Sequence, residues 1–312
     1  MIKKRLTKFT ILFITKDRTD ILKSLESCLK IKKFYSNCEI IILDGNKDNF
    51  LNKKLKFFKK KINLKIIKQK KSGFMNACFE AIQYLNTGYF TFMYDDDILS
   101  PYYGTLVSYS CNQKKQIYGY GKIHPKHKNF TFKKPKIKIV PKTEINYLKE
   151  YFKFRSVKVL PNSPITSIFS VEIVKKWKNI LRGKIKDEIS NFLLLEKNIG
   201  PDLLLYLFSL EIDNKNSKTV VTNSIMAKFS SHNQSMSIRY GSVNLRFGYW
   251  VAKKIFIDYT NNINLISKKL LLIHLIKGFF ILFMYLYSKK KFKNFKLKSY
   301  LSIFYDLSAK IF

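Results

Sequence analysis

Short apolar runs, each ending in polar residues, recur along the first hundred residues of the chain. The runs at residues 9–14, 39–43, 64–67 and 89–94 are rich in β-branched and aromatic side chains, which is typical of interior strands of a parallel sheet. The intervening segments 20–29 and 76–85 carry apolar residues at helical spacing. The pattern predicts an α/β domain with a mostly parallel sheet, whose ligands bind outside the carboxyl ends of the strands.

The pattern weakens after Pro101. Residues 114–142 are rich in lysine and contain three prolines, which predicts irregular loops or hairpins beside the core. Helical spacing returns at 171–181 and 201–210, and the residues from about 245 onwards predict a separate helical appendage. We therefore predict two domains, residues 1–240 and a basic, helical C-terminal appendage of residues 241–312.

The net charge of +38 raises the question of nucleic-acid binding. Only six of the 59 basic residues are arginine, and the lysines are spread along nearly the whole chain, whereas proteins that read nucleic acids concentrate charge and use arginine on bases. We predict no nucleic-acid partner. The four cysteines form no CxxC pair, which indicates neither a zinc site nor a disulfide framework and favours a reducing cytoplasm.

Three of the twelve aspartates, Asp95, Asp96 and Asp97, follow the apolar run that ends at Tyr94. Clustered carboxylates repel one another and need a counter-ion. Mg2+ and Mn2+ take oxygen ligands and share their shell with substrate phosphates, so this cluster suits a nucleotide diphosphate site. The alternative is a solvated acidic turn, since Asp and Pro are also common turn residues.

Four segments together resemble a known family. Residues 10–15, 41–45, 73–77 and 95–97 are similar, in order and spacing, to the motifs of family 2 glycosyltransferases of the GT-A fold. The resemblance implies a GT-A-like (Rossmann-like) fold with a mostly parallel central sheet flanked by helices and a C-terminal helical appendage. It also implies that residues 1–240 bind a nucleotide sugar and catalyse a metal-dependent, inverting transfer.

The resemblance assigns roles to particular residues. It implies that the nucleotide sugar contacts the group Thr15, Asp44, Asn76, Asp95 and Asp96. The alternative for Asp44 is a tight Asp-Gly turn with Gly45, and the two roles are compatible. The chain departs from the family at Asn76, where an acidic residue or Arg is usual, and this departure puts the contact with the nucleotide in doubt.

A divalent cation, Mn2+ or Mg2+, is the cofactor that the resemblance implies. The candidate ligands are Asp96, Asp97 and His232. Tyr94 occupies the first position of the family's Asp-x-Asp-Asp pattern, so Asp96 is the main candidate and Asp95 substitutes by a shift in register. His232 belongs to a segment similar to a His-x-x-Ser element of bacterial relatives; the alternative is a solvated loop residue.

Asp202 is the candidate general base. It follows Gly200 and Pro201 and precedes a leucine-rich run, as the family's acidic residue does. An inverting transfer requires a base because the acceptor hydroxyl loses its proton as it attacks the anomeric carbon. The alternative is structural, because an Asp in the first turn of a helix is stabilised by the helix dipole.

The C-terminal residues suggest a membrane. Residues 270–287 are strongly apolar but contain His274 and Lys277, and residues 289–296 mix lysine with phenylalanine, a composition that favours an anionic membrane surface. Spanning a membrane, lying on its surface and packing as a buried helix pair all remain open. The resemblance places the protein in the cytoplasm at the inner face of the membrane, where a glycan or lipid-linked acceptor meets the nucleotide-sugar donor.

The sequence therefore predicts an inverting glycosyltransferase that moves a sugar from a nucleotide-diphosphate sugar to a cell-surface glycan or a lipid-linked acceptor. Two alternatives remain. One is a nucleotidyltransferase on a similar fold, which is disfavoured because Thr15 to Arg18 contains no glycine for a triphosphate loop. The other is a non-catalytic, basic membrane- or glycan-binding protein.

Overall fold

The structure is a computed structural model of the 312-residue chain. It describes residues 7–16, 21–46, 63–86, 88–112, 118–125, 131–141, 147–153, 163–211, 218–229, 236–260, 266–288 and 296–309, with the single residues 51, 55, 56, 58 and 263. The chain folds into two compact units. The first contains residues 1–145, 161–175 and 213–231, and the second contains residues 146–160, 176–212 and 232–312.

A five-stranded sheet forms the centre of the first unit. Its strands are β1 (Phe9–Thr15), β2 (Cys38–Asp44), β3 (Leu64–Lys68), β4 (Tyr89–Tyr94) and β8 (Phe169–Ser170), in the order β3-β2-β1-β4-β8. The first four are parallel and β8 is antiparallel to β4. This confirms the predicted mostly parallel sheet. Because the chain adds β2 and β3 on one side of β1 and β4 on the other, the direction of the strand order changes between β1 and β4.

Helices α1 (Ile21–Ile31), α2 (Phe74–Ile82) and α3 (Tyr103–Asn112) belong to the same unit. β1 is buried along its whole length, and it packs in a core that includes Phe9, Ile11 and Phe13 from the strand and Leu25 and Tyr103 from the helices. The apolar runs of β1, β2 and β4 thus correspond to strands that are covered on both faces, whereas β3 at the edge of the sheet is partly exposed.

A second, four-stranded sheet lies in this unit. Its strands are β5 (Ile98–Leu99), β6 (Tyr118–Pro125), β7 (Ile137–Pro141) and β9 (Lys218–Phe229), and β9 pairs with all three others. The sequence predicts irregular loops or hairpins between residues 114 and 142. The structure instead has two strands there, and each pairs with β9, so their hydrogen-bonding partners lie about 80 to 100 residues away in sequence.

The second unit is helical. It contains α4 (Tyr147–Phe152), most of α5 (Val171–Gly183), α6 (Glu188–Asn191) with a π-helical turn at Phe192–Glu196, and α7 (Pro201–Glu211). It ends with α8 (Met236–Tyr259), which bends at Gly241, α9 (Lys268–Tyr287) and α10 (Leu297–Ser308). The predicted C-terminal helical region is therefore present. The boundary between domains at residue 240 stays a prediction.

Candidate active site

The carboxyl ends of β1 and β4 meet at the point where the strand order changes direction. This is where α/β sheets of this kind bind their ligands, because the connections on either side diverge and leave a crevice. Thr15 ends β1 and Asp95 follows β4, and the Thr15 hydroxyl donates a hydrogen bond of 2.8 Å to Asp95 Oδ2. Two of the predicted nucleotide-sugar residues are therefore in direct contact at the carboxyl edge of the sheet.

Two buried serines of α1 form hydrogen bonds to the backbone at either end of the acidic turn, which consists of residues 95–97. Ser24 Oγ donates to the Asp95 carbonyl at 3.0 Å. Ser27 Oγ accepts from the Leu99 backbone N–H at 3.0 Å and donates to the Ser24 carbonyl. The sequence analysis overlooked both serines. They interrupt an apolar helix face that contains Leu25 and Ile31, and a polar residue on a buried face signals a hydrogen-bonding task.

The three aspartates after β4 have different environments. Asp95 and Asp96 are partly exposed, whereas Asp97 is buried. The Asp97 backbone N–H donates to the Tyr94 carbonyl at 3.4 Å, which tightens the turn. Exposure favours Asp95 and Asp96 over Asp97 for contact with a ligand. The assignment of Asp96 and Asp97 as metal ligands stays a prediction.

Asp44 is fully buried at the end of β2. Its Oδ1 accepts from the Asn46 backbone N–H at 2.9 Å and from the Asn46 side chain at 2.8 Å, which forms an Asx turn. Lys68 Nζ, at the end of β3, lies 2.7 Å from Asp44 Oδ2. The tight turn considered from the sequence is therefore formed. A contact between Asp44 and a nucleotide stays a prediction, and it must use lone pairs that these partners leave available.

Asn76 lies in the first turn of α2 and is exposed. Asn76 Nδ2 donates to the Ser72 carbonyl at 2.7 Å, and Gln69 Nε2 donates to the Gly73 carbonyl at 2.8 Å. Gly73 has a φ of 103°, which favours glycine. The centroid of the Phe74 ring lies 5.8 Å from that of the Tyr94 ring, so the start of α2 adjoins the acidic turn. The structure thus brings Asn76 into the same end of the sheet as Thr15, Asp44 and the aspartates.

Asp202 belongs to the second unit. It lies in the first turn of α7, and its Oδ1 accepts from the Leu203 backbone N–H at 2.8 Å. Burial raises the pKa of Asp202 from 3.8 to about 6, although hydrogen bonds from backbone N–H groups oppose the shift. A carboxylate with a pKa near 6 is suited to taking a proton at neutral pH.

A close approach of two glycines positions Asp202. Gly200 has a φ of 98°, and a Cβ there would lie 2.7 Å from the Gly248 carbonyl oxygen. A Cβ on Gly248 would lie 2.3 Å from Ile199 Cγ2. The loop before α7 therefore packs directly on α8, where the charge of Asp202, followed by burial, raises the pKa of Tyr249. Gly248 and Tyr249 were not singled out from the sequence, since a close backbone approach is a tertiary property.

His232 lies outside the described residues. Among the residues that the structure does describe, no group of three or more His, Cys, Asp or Glu side chains is arranged to hold a metal ion. A cation at the acidic turn would therefore depend on oxygens of a bound ligand or of water for much of its shell, which is common for Mg2+ at phosphate sites.

Replacing Thr15 with Val tests the hydrogen bond between Thr15 and Asp95. The change removes one hydroxyl at nearly constant volume, and we expect it to lower the free energy of unfolding by about 1 kcal/mol, the usual worth of one hydrogen bond. Thr15→Ser keeps the hydroxyl and serves as the matched control. Urea unfolding of both variants measures the effect. An unfolding midpoint of Thr15→Val equal to that of the wild type would show that the hydrogen bond to Asp95 contributes no stability.

Comparison with solved structures defines the class of fold. Staphylococcus aureus TarS residues 1–349 in complex with UDP-GlcNAc is similar with a TM-score of 0.60 and 14% identity, over 97% of this chain and 81% of that chain. The same fragment in complex with UDP gives 0.55 and 12%, over 96% and 80%. A TarS structure gives 0.55 and 13%, over 96% of this chain and 48% of that one, so this chain spans about half of its length. The fold is GT-A-like, as predicted.

A sequence comparison then identifies the family. The family model described as Glycosyl transferase family 2 matches residues 10–178, which is more than half of the chain. The protein belongs to glycosyl transferase family 2 and is a glycosyltransferase. The matched range includes β1, β2, β3 and β4 and the predicted donor residues that follow them. A comparison with curated protein sequences found no match.

Proposed function

We propose that this glycosyltransferase moves one sugar, with inversion at the anomeric carbon, from a nucleotide-diphosphate sugar to a glycan or lipid-linked acceptor of the cell surface. The observation that carries the proposal is the hydrogen bond from Thr15 to Asp95 at the carboxyl ends of β1 and β4, in a chain of this family. Family membership also favours sugar transfer over the nucleotidyltransferase and non-catalytic alternatives. A TarS structure with UDP-GlcNAc makes UDP-sugars the first donors to test.

The donor diphosphate is proposed to bind beside the acidic turn. Asp96 is partly exposed there and Asp95 is fixed by Thr15. Two carboxylates and no nitrogen ligand in the described part of this turn suit a hard, oxygen-seeking cation such as Mg2+ or Mn2+. When bound, that cation would offset the negative charge of the diphosphate leaving group. Asp95 and Asp96 would hold it, and Lys68 keeps the neighbouring Asp44 charge paired.

Asp202 is proposed as the general base. Attack by the acceptor hydroxyl requires that its proton leaves as the new glycosidic bond forms and the bond to the diphosphate breaks. The Asp202 carboxylate takes the proton, and the electron pair of the broken bond leaves with the nucleoside diphosphate. Its pKa of about 6 supports this role, because the group is mostly ionised at neutral pH yet basic enough to accept a proton.

The acceptor is proposed to be presented at the inner face of the cytoplasmic membrane. The basic and apolar C-terminal residues support contact with the membrane, because lysines attract anionic lipids and apolar side chains leave water. Nucleotide sugars are cytoplasmic, so this position brings donor and acceptor together.

A donor panel tests the function. The full chain is incubated with Mg2+ or Mn2+, a lipid extract as a source of acceptor, and UDP-, GDP- or dTDP-sugars, and release of nucleoside diphosphate is measured. We expect metal-dependent release from one donor and a fall of at least about a hundredfold in Asp96→Ala, because leaving-group charge is then poorly offset. Asp306→Ala, which removes an exposed carboxylate of α10, is the matched control and should keep the wild-type rate.

Either of two results would contradict the proposal. Release that does not depend on metal would remove the cation from the mechanism. The absence of release from every donor, together with no rise in melting temperature when donors are added, would favour the non-catalytic alternative.

A further inference from the structure

One side of α9 exposes a continuous row of large apolar residues. We call this row the outer face of α9; its side chains are 38–76% exposed and comprise Leu272, Ile276, Phe279, Phe280, Phe283, Met284 and Tyr287. The opposite side is buried and includes His274, Gly278 and Tyr285. Both sides of the helix are thus apolar. On the outer face, the Phe279 ring stacks on Phe304 of α10 with centroids 4.4 Å apart, and all seven side chains keep a third or more of their surface exposed. Large apolar patches of this kind mark surfaces that bind a partner or a membrane.

The buried side of α9 is tightly attached to its own unit. A Cβ on Gly278 would lie 2.4 Å from Trp250 Cε2, so the helix backbone contacts the indole directly. Trp250 Nε1 donates to the His274 carbonyl at 2.9 Å, and the two rings stack with centroids 5.2 Å apart. By length and composition, α9 is the one helix in the described part of the chain that is able to cross a membrane. Crossing would require these contacts to break, so its attachment favours surface contact instead.

Lysines border the outer face of α9. Lys268 and Lys269 precede Leu272 by four and three residues, so they share its side of the helix, and both are exposed. Lys277 precedes Phe280 by three residues and lies at the border of the face. Burial, followed by the charge of Arg246, lowers the pKa of Lys277. From residue 259 to residue 305 the sequence contains nine lysines and no Asp or Glu.

This charge pattern selects the partner. A second copy of the chain would bring like charges together across the interface, which is unfavourable. An anionic phospholipid surface offers acyl chains for the apolar row and phosphates for the lysines at its edge. Aromatic residues, which make up four of the seven members of the outer face, are also well suited to the boundary between headgroups and acyl chains.

We propose that the outer face of α9 docks on an anionic phospholipid bilayer, with Phe280 and Phe283 inserted at the level of the headgroups and Lys268, Lys269 and Lys277 on the lipid phosphates. The inference deepens the membrane contact of the proposed function and rests on it. Docking itself requires no sugar transfer, so the two are tested separately.

Vesicle binding tests the docking surface. The full chain is sedimented with vesicles of phosphatidylcholine alone or mixed with phosphatidylglycerol. We expect binding to the mixed vesicles, and a fall of at least about a hundredfold in Phe280→Glu/Phe283→Glu, because two aromatic side chains no longer leave water. The matched control is Phe34→Glu/Tyr109→Glu, which alters two exposed aromatic residues of the first unit and should bind like the wild type.

A charge variant separates the two parts of the surface. Lys268→Gln/Lys269→Gln/Lys277→Gln should weaken binding by about fivefold per lysine in mixed vesicles, and added salt should weaken the wild type in the same direction. Melting curves identify any variant that fails to fold. If Phe280→Glu/Phe283→Glu, the outer-face variant, fails to fold, it is replaced by Phe280→Ser/Phe283→Ser.

Three outcomes would overturn the proposal: no binding of the wild type to mixed vesicles, equal binding to both vesicle types, or unchanged binding of the folded outer-face variant. A fall in molecular mass in the outer-face variant, measured by light scattering, together with unchanged vesicle binding would instead assign the surface to a second copy. Donor-dependent release of nucleoside diphosphate, measured without vesicles, reports separately on the proposed function.

Discussion

Replacing Asp202 with Asn is expected to lower the rate of sugar transfer by about a thousandfold, because the amide cannot accept the proton of the acceptor hydroxyl. The change is nearly isosteric, so α7 should keep its place. The donor concentration that gives half-maximal rate should change by no more than a few-fold, since the donor is proposed to bind at the other predicted residues. Acceptor-dependent release of nucleoside diphosphate, with the donor identified by the panel, provides the measurement.

The same substitution should not reduce stability at neutral pH. Burial raises the pKa of Asp202 from 3.8 to about 6, so the folded protein holds this proton more tightly than the unfolded chain does. The stability that the group contributes is full below about pH 4 and is lost as the pH rises through about 6. Asp202→Asn removes an unfavourable buried charge at pH 7, and we expect its melting temperature to equal or exceed that of the wild type there but not near pH 4.

Glu211→Gln is the matched control, because it makes the same chemical change in the same helix. Glu211 is buried and forms an ion pair with Lys176 and a hydrogen bond with Thr260. We therefore expect the control to lose stability and keep its rate, which is the reverse of Asp202→Asn. In the wild type the rate should rise with pH through about 6. A rate for Asp202→Asn within threefold of the wild type, or a lower melting temperature at pH 7, would contradict the assignment.

The second large effect is expected at Gly88, at the start of β4. Its φ is 97°, and a Cβ there would lie 2.2 Å from the Lys8 carbonyl oxygen. That carbonyl accepts from the Tyr89 N–H at 3.0 Å, and the Gly88 carbonyl accepts from the Val171 N–H at 3.1 Å. The methyl group must therefore displace a hydrogen-bonded backbone. We expect Gly88→Ala to lower the free energy of unfolding by about 3–5 kcal/mol.

Two other glycines distinguish the loss of stability caused by backbone strain from the loss caused by the clash with the Lys8 carbonyl. Gly241 has a φ of 74° but nothing within 4 Å of its Cβ position, so Gly241→Ala should cost only about 1 kcal/mol from backbone strain. Gly183 has neither a positive φ nor a close neighbour, so Gly183→Ala should be neutral or stabilise by about 0.5 kcal/mol. Urea unfolding of the three variants gives the order. A cost at Gly88 no larger than at Gly241 would show that the Lys8 carbonyl moves away easily.

Much of the first unit was predictable because the information is local. Each buried strand is a continuous apolar run, and the predicted bounds of β1, β2, β3 and β4 differ from those in the structure by at most one residue at either end. Parallel strands present their carboxyl ends at one edge, so the polar residues that follow them were expected to gather there. Thr15 and Asp95, which are 80 residues apart, do so.

The second sheet was not predictable in the same way. β6 and β7 lack a long continuous apolar run, and their partner β9 lies about 80 to 100 residues further along the chain. Hydrogen bonds to a distant strand leave little trace in local periodicity. Ser24 and Ser27 illustrate the same point for the site, because the turn that they support after β4 is reached only when the chain has folded back.

For the first hundred residues, the sequence by itself determined the order of strands and helices, the parallel sheet and the residues at its carboxyl edge, because apolar spacing and the polar residues that end each run are properties of neighbouring positions. Only the tertiary structure decided which of these residues touch, how deeply Asp202 is buried and which side of α9 is left exposed. Hydrogen-bond geometry, burial and the pKa shift that burial causes depend on groups brought together from distant parts of the chain.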